Sequence, residues 1–229
     1  MPNRPPPSGY TGSPKRISLP TGSRLTRIHD ARFPALSFNP TLADAHWGGG
    51  RFDATGEDPY GYLYAGGDDL CAVAESLLRD LPLDASGSQL LPRRSLTGRK
   101  ISWLAPTRGL ALVSLRSGRD LAAVGQDSWL TKCESREYGF TRRWAHQLRG
   151  WAPWAQGLVW RSRREEESLA YVFFEDRCPA GSFVEIHEPT FPAPDGNRLD
   201  REPGLSYVRK LLAEYNVTVF RDSSPPLPL

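Results

Sequence analysis

Five side chains in this sequence occupy settings where their chemistry could be put to use. Arg27 lies in Leu25-Thr26-Arg27-Ile28-His29. In a strand it falls on the face opposite Ile28. There its guanidinium either meets solvent or offers a fork of donors to a diphosphate or a ribose. Arg51 follows Gly48-Gly49-Gly50 and precedes Phe52-Asp53. Glycines let backbone approach a ligand, but three in a row also make a loose turn. No Walker lysine and no helix-opening Gly-x-Gly-x-x-Gly accompany them. Tyr64 ends an aromatic run, and Glu75 lies in Cys71-Ala-Val-Ala-Glu-Ser-Leu-Leu78. A carboxylate among small apolar neighbours is uncommon without a partner. It reads equally as the polar face of an amphipathic helix, for which Glu is a good former. With a ligand present, it could hold a ribose hydroxyl and stabilise positive charge growing at a breaking glycosidic bond. Ser162, between Arg161 and Arg163, is either a polar turn residue or a hydrogen-bonding contact to substrate. No Gly-x-Ser-x-Gly elbow surrounds it.

Local patterns supply the elements that must carry these groups. Leu25 to His29 reads as a short strand, and Phe33 to Gly50, with Pro34, Pro40 and three glycines, as an irregular loop. Tyr60 to Ala65 alternates as a strand. Gly66-Gly67-Asp68-Asp69 ends it, and an aspartate there can cap a helix from Leu70 to Leu81, which Pro82 stops. Leu110–Leu115, Gly157–Trp160 and Leu169–Phe174 read as strands, and Phe140–Trp151 as a helix bearing arginines and tryptophans. A helix over Leu205–Tyr215 and a strand over Val217–Phe220 close the chain. Without regular βαβ alternation the class is α+β rather than doubly wound.

The 229 residues, 39% hydrophobic and 10% aromatic, suit one folded body with its own core. The Pro/Gly/Ser-rich start, residues 1–23, is expected to be a flexible arm. Residues 24–221 are expected to be the folded body and 222–229 a flexible tail. Net charge is only +3, and lysine appears only at 15, 100, 132 and 210. The arginine bias suits a phosphate-bearing ligand, though a GC-rich genome would give the same bias. Cys71, Cys133 and Cys178 are odd in number and far apart, which argues against a disulfide framework. His29, His46, His146 and His187 lack ligand spacing, so no metal site is expected. No apolar run reaches the ~20 residues of a membrane span, and no signal-peptide core opens the chain. A bacterial cytoplasm is the expected location.

The order of Arg27, Gly-Gly-Arg51, Tyr64, Glu75 and Ser162, each in its own context, resembles the RES domain from about residue 24 to 176. That family is named for an arginine, a glutamate and a serine. The resemblance implies a fold similar to ADP-ribosyltransferases, with a mixed, mostly antiparallel sheet around an NAD cleft. It implies cleavage of NAD at the nicotinamide–ribose bond, as an NAD phosphorylase or glycohydrolase. It also implies service as the toxin of a toxin–antitoxin pair. NAD would be substrate, and no cofactor is required. Glu75, Arg27, Tyr64 and Ser162 are the implied catalytic residues. Arg27, Arg51, Tyr64 and Ser162 are the implied NAD contacts, with Tyr64 stacking on nicotinamide. Inorganic phosphate and a separate Xre-type antitoxin are the implied partners. The chain departs from the family where Phe52-Asp53 replaces the common Trp-Asn, placing an acid beside the expected diphosphate.

Two other functions fit parts of the sequence. One is protein ADP-ribosylation on the same fold. The other is a non-catalytic interaction module, or one binding nucleic acid through the arginines and tryptophans between 142 and 164. Glu165-Glu166-Glu167 interrupts that patch and net charge is low, so direct nucleic-acid binding is not expected.

Overall fold

Apolar alternation and nonlocal pairing gather eight short strands into one mostly antiparallel sheet. The structure is a computed structural model that describes residues 4–82, 87, 89–188, 191 and 195–221. The chain runs through β1 (Arg16–Leu19), β2 (Leu25–Asp30) and β3 (Tyr62–Gly66) into α1 (Asp69–Val73). The helix continues as a π turn, Ala74–Leu78. Then come β4 (Gln89–Pro92), β5 (Arg99–Pro106), β6 (Leu110–Leu115), α2 (Gly118–Ala122) and α3 (Trp129–Lys132). The long α4 (Tyr138–Trp151) precedes β7 (Gly157–Arg161), β8 (Leu169–Phe174) and β9 (Phe183–Ile186). Helix α5 (Gly204–Ala213) and β10 (Val217–Phe220) end the described chain.

The sheet order is β1-β6-β7-β8-β3-β2-β5-β9, and β4 pairs with β10 in a separate parallel ribbon. Within the large sheet only β6 and β7 run parallel. This is the expected α+β architecture with a mixed, mostly antiparallel sheet. Its two faces bury different sets of residues, as the period of two requires. Tyr62, Trp160, Val172 and Phe174 pack under α4, whereas Leu63, Ala65, Val159 and Phe173 pack on the opposite face. A third cluster joins Val73, Leu77 and Leu78 of the α1–π helix to Leu205, Val208 and Leu212 of α5.

Helix α1 begins where the sequence indicates. Asp68 is extended, with φ −155°, and its carboxylate accepts the Cys71 N–H at 2.7 Å. The strand-to-helix corner needs Gly66, because a Cβ there would stand 2.7 Å from Ala72 N. Asp69 then ties the helix to three other parts of the fold. Its carboxylate accepts from Thr26 Oγ1 at 2.6 Å, from Trp103 Nε1 at 2.8 Å, and from the Tyr207 hydroxyl. The C-terminal helix is thereby fastened to the helix that carries Glu75.

One boundary differs from expectation. The Pro/Gly/Ser-rich start is not a loose arm over its described length. Arg16–Leu19 forms the edge strand beside β6, Tyr10 packs edge-on against Trp151, and the Arg4 carbonyl accepts from Trp144 Nε1 at 2.9 Å. Composition missed this because Leu19 and Tyr10 find apolar partners only across the fold. The expected tail, residues 222–229, lies outside the described residues.

Strand β2 also buries a titratable group. His29 is 9% exposed and sits between two partners at 3.0 Å, the Asp30 carbonyl at Nδ1 and Ser102 Oγ at Nε2. The carbonyl can only accept, so Nδ1 carries the proton and the serine hydroxyl donates to Nε2. Burial, with Arg27 and Lys100 nearby, pushes the imidazole pKa down to about 3. The unfolded chain therefore binds this proton at higher pH than the folded one does. Stability from this group should be level above pH ~6.5 and fall as pH drops towards 3, by at most about 1.4 kcal/mol per pH unit. Urea unfolding from pH 7 to 4 checks this, and His29→Gln should flatten the slope. An equally steep slope in the variant would assign the acid sensitivity elsewhere.

Candidate active site

Strands β2 and β3 pair at one position, Thr26↔Gly66, and splay apart beyond it. Beneath this opening lies the helix bearing Glu75. A small hollow of about 50 Å³ fills the gap, lined by residues that include Arg27, Tyr64, Glu75, Ser76, Trp160 and Tyr171. Three of the five chemistry-bearing residues singled out in the sequence thus meet in one place.

Each is held by a different device. Arg27 leaves β2 and donates through Nη1 to the Ala35 carbonyl at 2.7 Å and the Ser37 carbonyl at 3.0 Å. These bonds lash the long 31–50 loop over the strand. Burial lowers the guanidinium pKa to about 10, so it remains cationic at neutral pH. Its Nε is buried with no acceptor among the described residues, and the same holds for Trp160 Nε1. Unpaired buried N–H groups cost roughly 1–3 kcal/mol each, so two beside one hollow suit a ligand rich in acceptors.

Glu75 sits in the π turn rather than in regular α-helix. Such turns are frequent at functional sites because they re-aim one side chain out of helical register. Its Oε1 accepts the Arg163 N–H at 3.0 Å. Among the described residues no arginine or lysine lies within ion-pair distance of it. The carboxylate is oriented by a backbone donor and lines the hollow.

Tyr64 presents its ring, not its hydroxyl. The hydroxyl accepts from Phe52 N–H at 2.9 Å and donates to Asp53 Oδ1 at 2.9 Å. Burial, with Asp53 adjacent, pushes its pKa well up, so it stays protonated. Asp53 Oδ2 accepts from Gly50 N–H at 2.6 Å. A Cβ on Gly50 would stand 2.5 Å from Asp53 Oδ1, which is why the loop needs glycine there. Phe52 and Asp53, the departure from the family pattern, therefore anchor the tyrosine. The acid was expected beside a diphosphate. Instead it is buried and spent on Tyr64 and Gly50.

Arg51 does not line the hollow. It is 3% exposed and points away, donating to the Leu130 carbonyl, Cys133 Sγ, the Cys133 carbonyl and the Tyr138 hydroxyl at 3.0–3.2 Å. The triple glycine is likewise no phosphate cradle. Arg142 Nη1 donates to the Gly48 carbonyl at 2.7 Å and the Gly50 carbonyl at 3.3 Å. Local sequence cannot show this, because both anchors come from residues some 80 to 90 positions later.

Ser162 is fully buried and also off the hollow's wall. Its Oγ accepts from Glu165 N–H at 3.2 Å, and its own N–H donates to the Ser168 carbonyl at 3.1 Å. It shapes the 162–168 turn that presents Arg163 N–H to Glu75. That places it one residue removed from the donor that meets the carboxylate. Cys71 offers no nucleophile either, since burial beside Glu75 and Asp68 pushes its thiol up to about 12. The sequence reading overlooked Trp160 and gave Asp53 a different role. Only the strand alternation that puts Trp160 on the face of Tyr64 could have suggested the tryptophan.

The runner-up, a nucleic-acid surface through the arginines and tryptophans between 142 and 164, loses two of its cations. Arg142 is buried under the glycine loop, and Arg149 is 4% exposed and paired with Asp58 at 2.7 Å and Asp176 at 2.8 Å. Among the described residues no His/Cys/Asp/Glu group could hold a metal ion, and no helix is long and apolar enough to cross a membrane.

Comparison with known families settles the kinship. The RES domain profile matches residues 24–195. The chain belongs to the RES domain family. Comparison with curated proteins finds no match. Among solved structures, a chain of the M. tuberculosis MbcT–MbcA toxin–antitoxin complex is similar in fold. The TM-score is 0.53 at 16% identity, over 74% of this chain and 84% of that one. In this RES protein, residues beyond 195 supply α5 and β10, the elements that brace the glutamate helix from behind.

Proposed function

We propose that this RES protein cleaves NAD at the nicotinamide–ribose bond, with water or inorganic phosphate as acceptor, and serves as the toxin of a toxin–antitoxin pair. The observation that carries the reading is one hollow lined by a cation, an aromatic ring and a carboxylate that has no ion-pair partner among the described residues. Nicotinamide in NAD is cationic, so it leaves as a neutral base with the C–N electron pair and needs no general acid. Positive charge then builds on the ribose. Glu75, oriented by Arg163 N–H, stabilises that charge and accepts a ribose hydroxyl. Tyr64 and Trp160 wall the nicotinamide. Arg27 offers its Nε to the ribose and the oxygens attached to it. The acceptor oxygen attacks the anomeric carbon and loses its proton to solvent, giving ADP-ribose or its 1-phosphate. The kinship to a chain of a toxin–antitoxin complex supports a separate antitoxin as partner.

The test is free nicotinamide released from NAD by the purified full chain, with and without inorganic phosphate. Arg27→Ala should raise KM for NAD about 10-fold or more, the value of one charge-assisted hydrogen bond. No nicotinamide release under either condition would sink the reading.

A further inference from the structure

The hollow at Glu75 is far smaller than the several hundred Å³ that an organic ligand fills. A dinucleotide bound there must continue elsewhere. In NAD the diphosphate is attached to the same ribose whose glycosidic bond breaks. It must therefore lie next to whatever holds that ribose.

A second cleft, about 310 Å³, is lined by Arg163, the residue whose N–H orients Glu75. The link between the two spaces is the hydrogen bond from Arg163 N–H to Glu75. Arg79, one helical turn after Glu75, reaches the same cleft. Four arginines line it, Arg79, Arg136, Arg163 and Arg164, against two carboxylates, Asp80 and Glu134. Arg136 is neutralised by Glu134 at 3.0 Å and Arg79 by Asp80 at 3.1 Å. Arg163 has only a 4.0 Å contact with Glu134, and Arg164 donates to the Leu81 carbonyl at 2.7 Å. Among the described residues these two guanidiniums lack a close carboxylate. Among the described residues the excess charge is about that of a diphosphate.

The larger hollow around Gly98 is a poorer fit. It also touches the site, through Arg99 Nη1 donating to the Ser76 carbonyl at 3.2 Å. Its other cations are already satisfied, Arg32 by Asp30 at 2.6 Å and Arg198 by Asp200 at 2.8 Å.

We propose that the cleft lined by Arg79, Arg163 and Arg164 is the subsite for the diphosphate and adenylate half of the dinucleotide. This rests on the NAD reading above and adds to it the residues that select a dinucleotide over a mononucleotide. Bidentate arginine suits this task better than lysine.

The test uses the full chain with Arg163→Gln, Arg164→Gln and the double variant. Arg163→Gln keeps the backbone N–H that orients Glu75. Titration calorimetry with ADP should show about a 10-fold loss of affinity for each single variant, one charge-assisted contact each. The ratio of KM for NAD to KM for nicotinamide mononucleotide should rise by a similar factor. Unchanged ADP affinity in the double variant would overturn the proposal. So would equal losses for both substrates, which would mark the arginines as bracing only. ADP binding that depends on these arginines, without nicotinamide release from NAD, would keep the cleft and remove the NAD-cleavage reading. Nicotinamide release with an unshifted KM ratio would do the reverse.

Discussion

Glu75→Gln is expected to cut nicotinamide release at saturating NAD by a factor of about 10² to 10³, the usual cost of one well-placed electrostatic group. The substitution suits the question because it changes little else. Glutamine keeps an acceptor oxygen for Arg163 N–H, so the bond that orients the side chain survives. Glu75 is only half buried and has no ion-pair partner among the described residues, so neutralising it strands no buried cation. The helix around it stays anchored by Val73, Leu77 and Leu78. Affinity for NAD should change less than turnover, since the carboxylate acts mainly on charge that appears during bond breaking. Thermal melts and NAD titration of the variant would confirm an intact, binding-competent fold. Turnover equal to the parent would mean that charge at this position does not matter, and the mechanism would be withdrawn.

The sequence reveals those parts of the site that depend on local signals. Asp68 capping α1, the alternation of Tyr62 and Tyr64, and the apolar stripe of Val73 and Leu77 are all properties of a few adjacent residues. They place Arg27 on a strand and Glu75 on a helix without knowledge of the rest. Their meeting is less local, because it needs β2 and β3 to pair at one residue and then diverge. What each arginine does cannot be read locally at all. Arg27, Arg51 and Arg142 look alike in sequence. Their roles are decided by the loop carbonyls at Ala35 and Ser37, by Cys133 and Tyr138, and by the Gly48–Gly50 carbonyls respectively. Strand β1 was hidden for a related reason. Only Leu19 of its four residues is buried, and its pairing with β6 lies some 90 residues away. The π turn at Glu75 also has no sequence mark, since Ala-Glu-Ser-Leu-Leu would serve an ordinary α-helix.

The reassignment of Arg51 leads to the second large effect. If Arg51 were a phosphate contact, Arg51→Ala would raise KM and leave stability alone. The structure requires the opposite result. Its guanidinium bonds two backbone carbonyls, a thiol and a tyrosine hydroxyl, and lies 4.7 Å from the Tyr138 ring centre. Truncation leaves the Leu130 and Cys133 carbonyls without this donor and opens a void beneath α3. Losing a buried charged donor of this kind costs on the order of 3 kcal/mol. For a domain of this size that is a melting-point drop of roughly 6–12 °C. Arg51→Lys should recover only part of it, because one ammonium cannot reproduce a planar fork that serves separate acceptors. KM for NAD in the folded fraction should stay near the parent value, since no atom of Arg51 lines the hollow. A raised KM with an unchanged melting point would return Arg51 to the binding site and remove the bracing role. The glycine loop gives the same logic a second reading. Arg51 and Arg142 hold its two sides, and Asp53 within it anchors the Tyr64 hydroxyl. Weakening either brace should therefore act through folding, lowering turnover only as far as the folded fraction is lost.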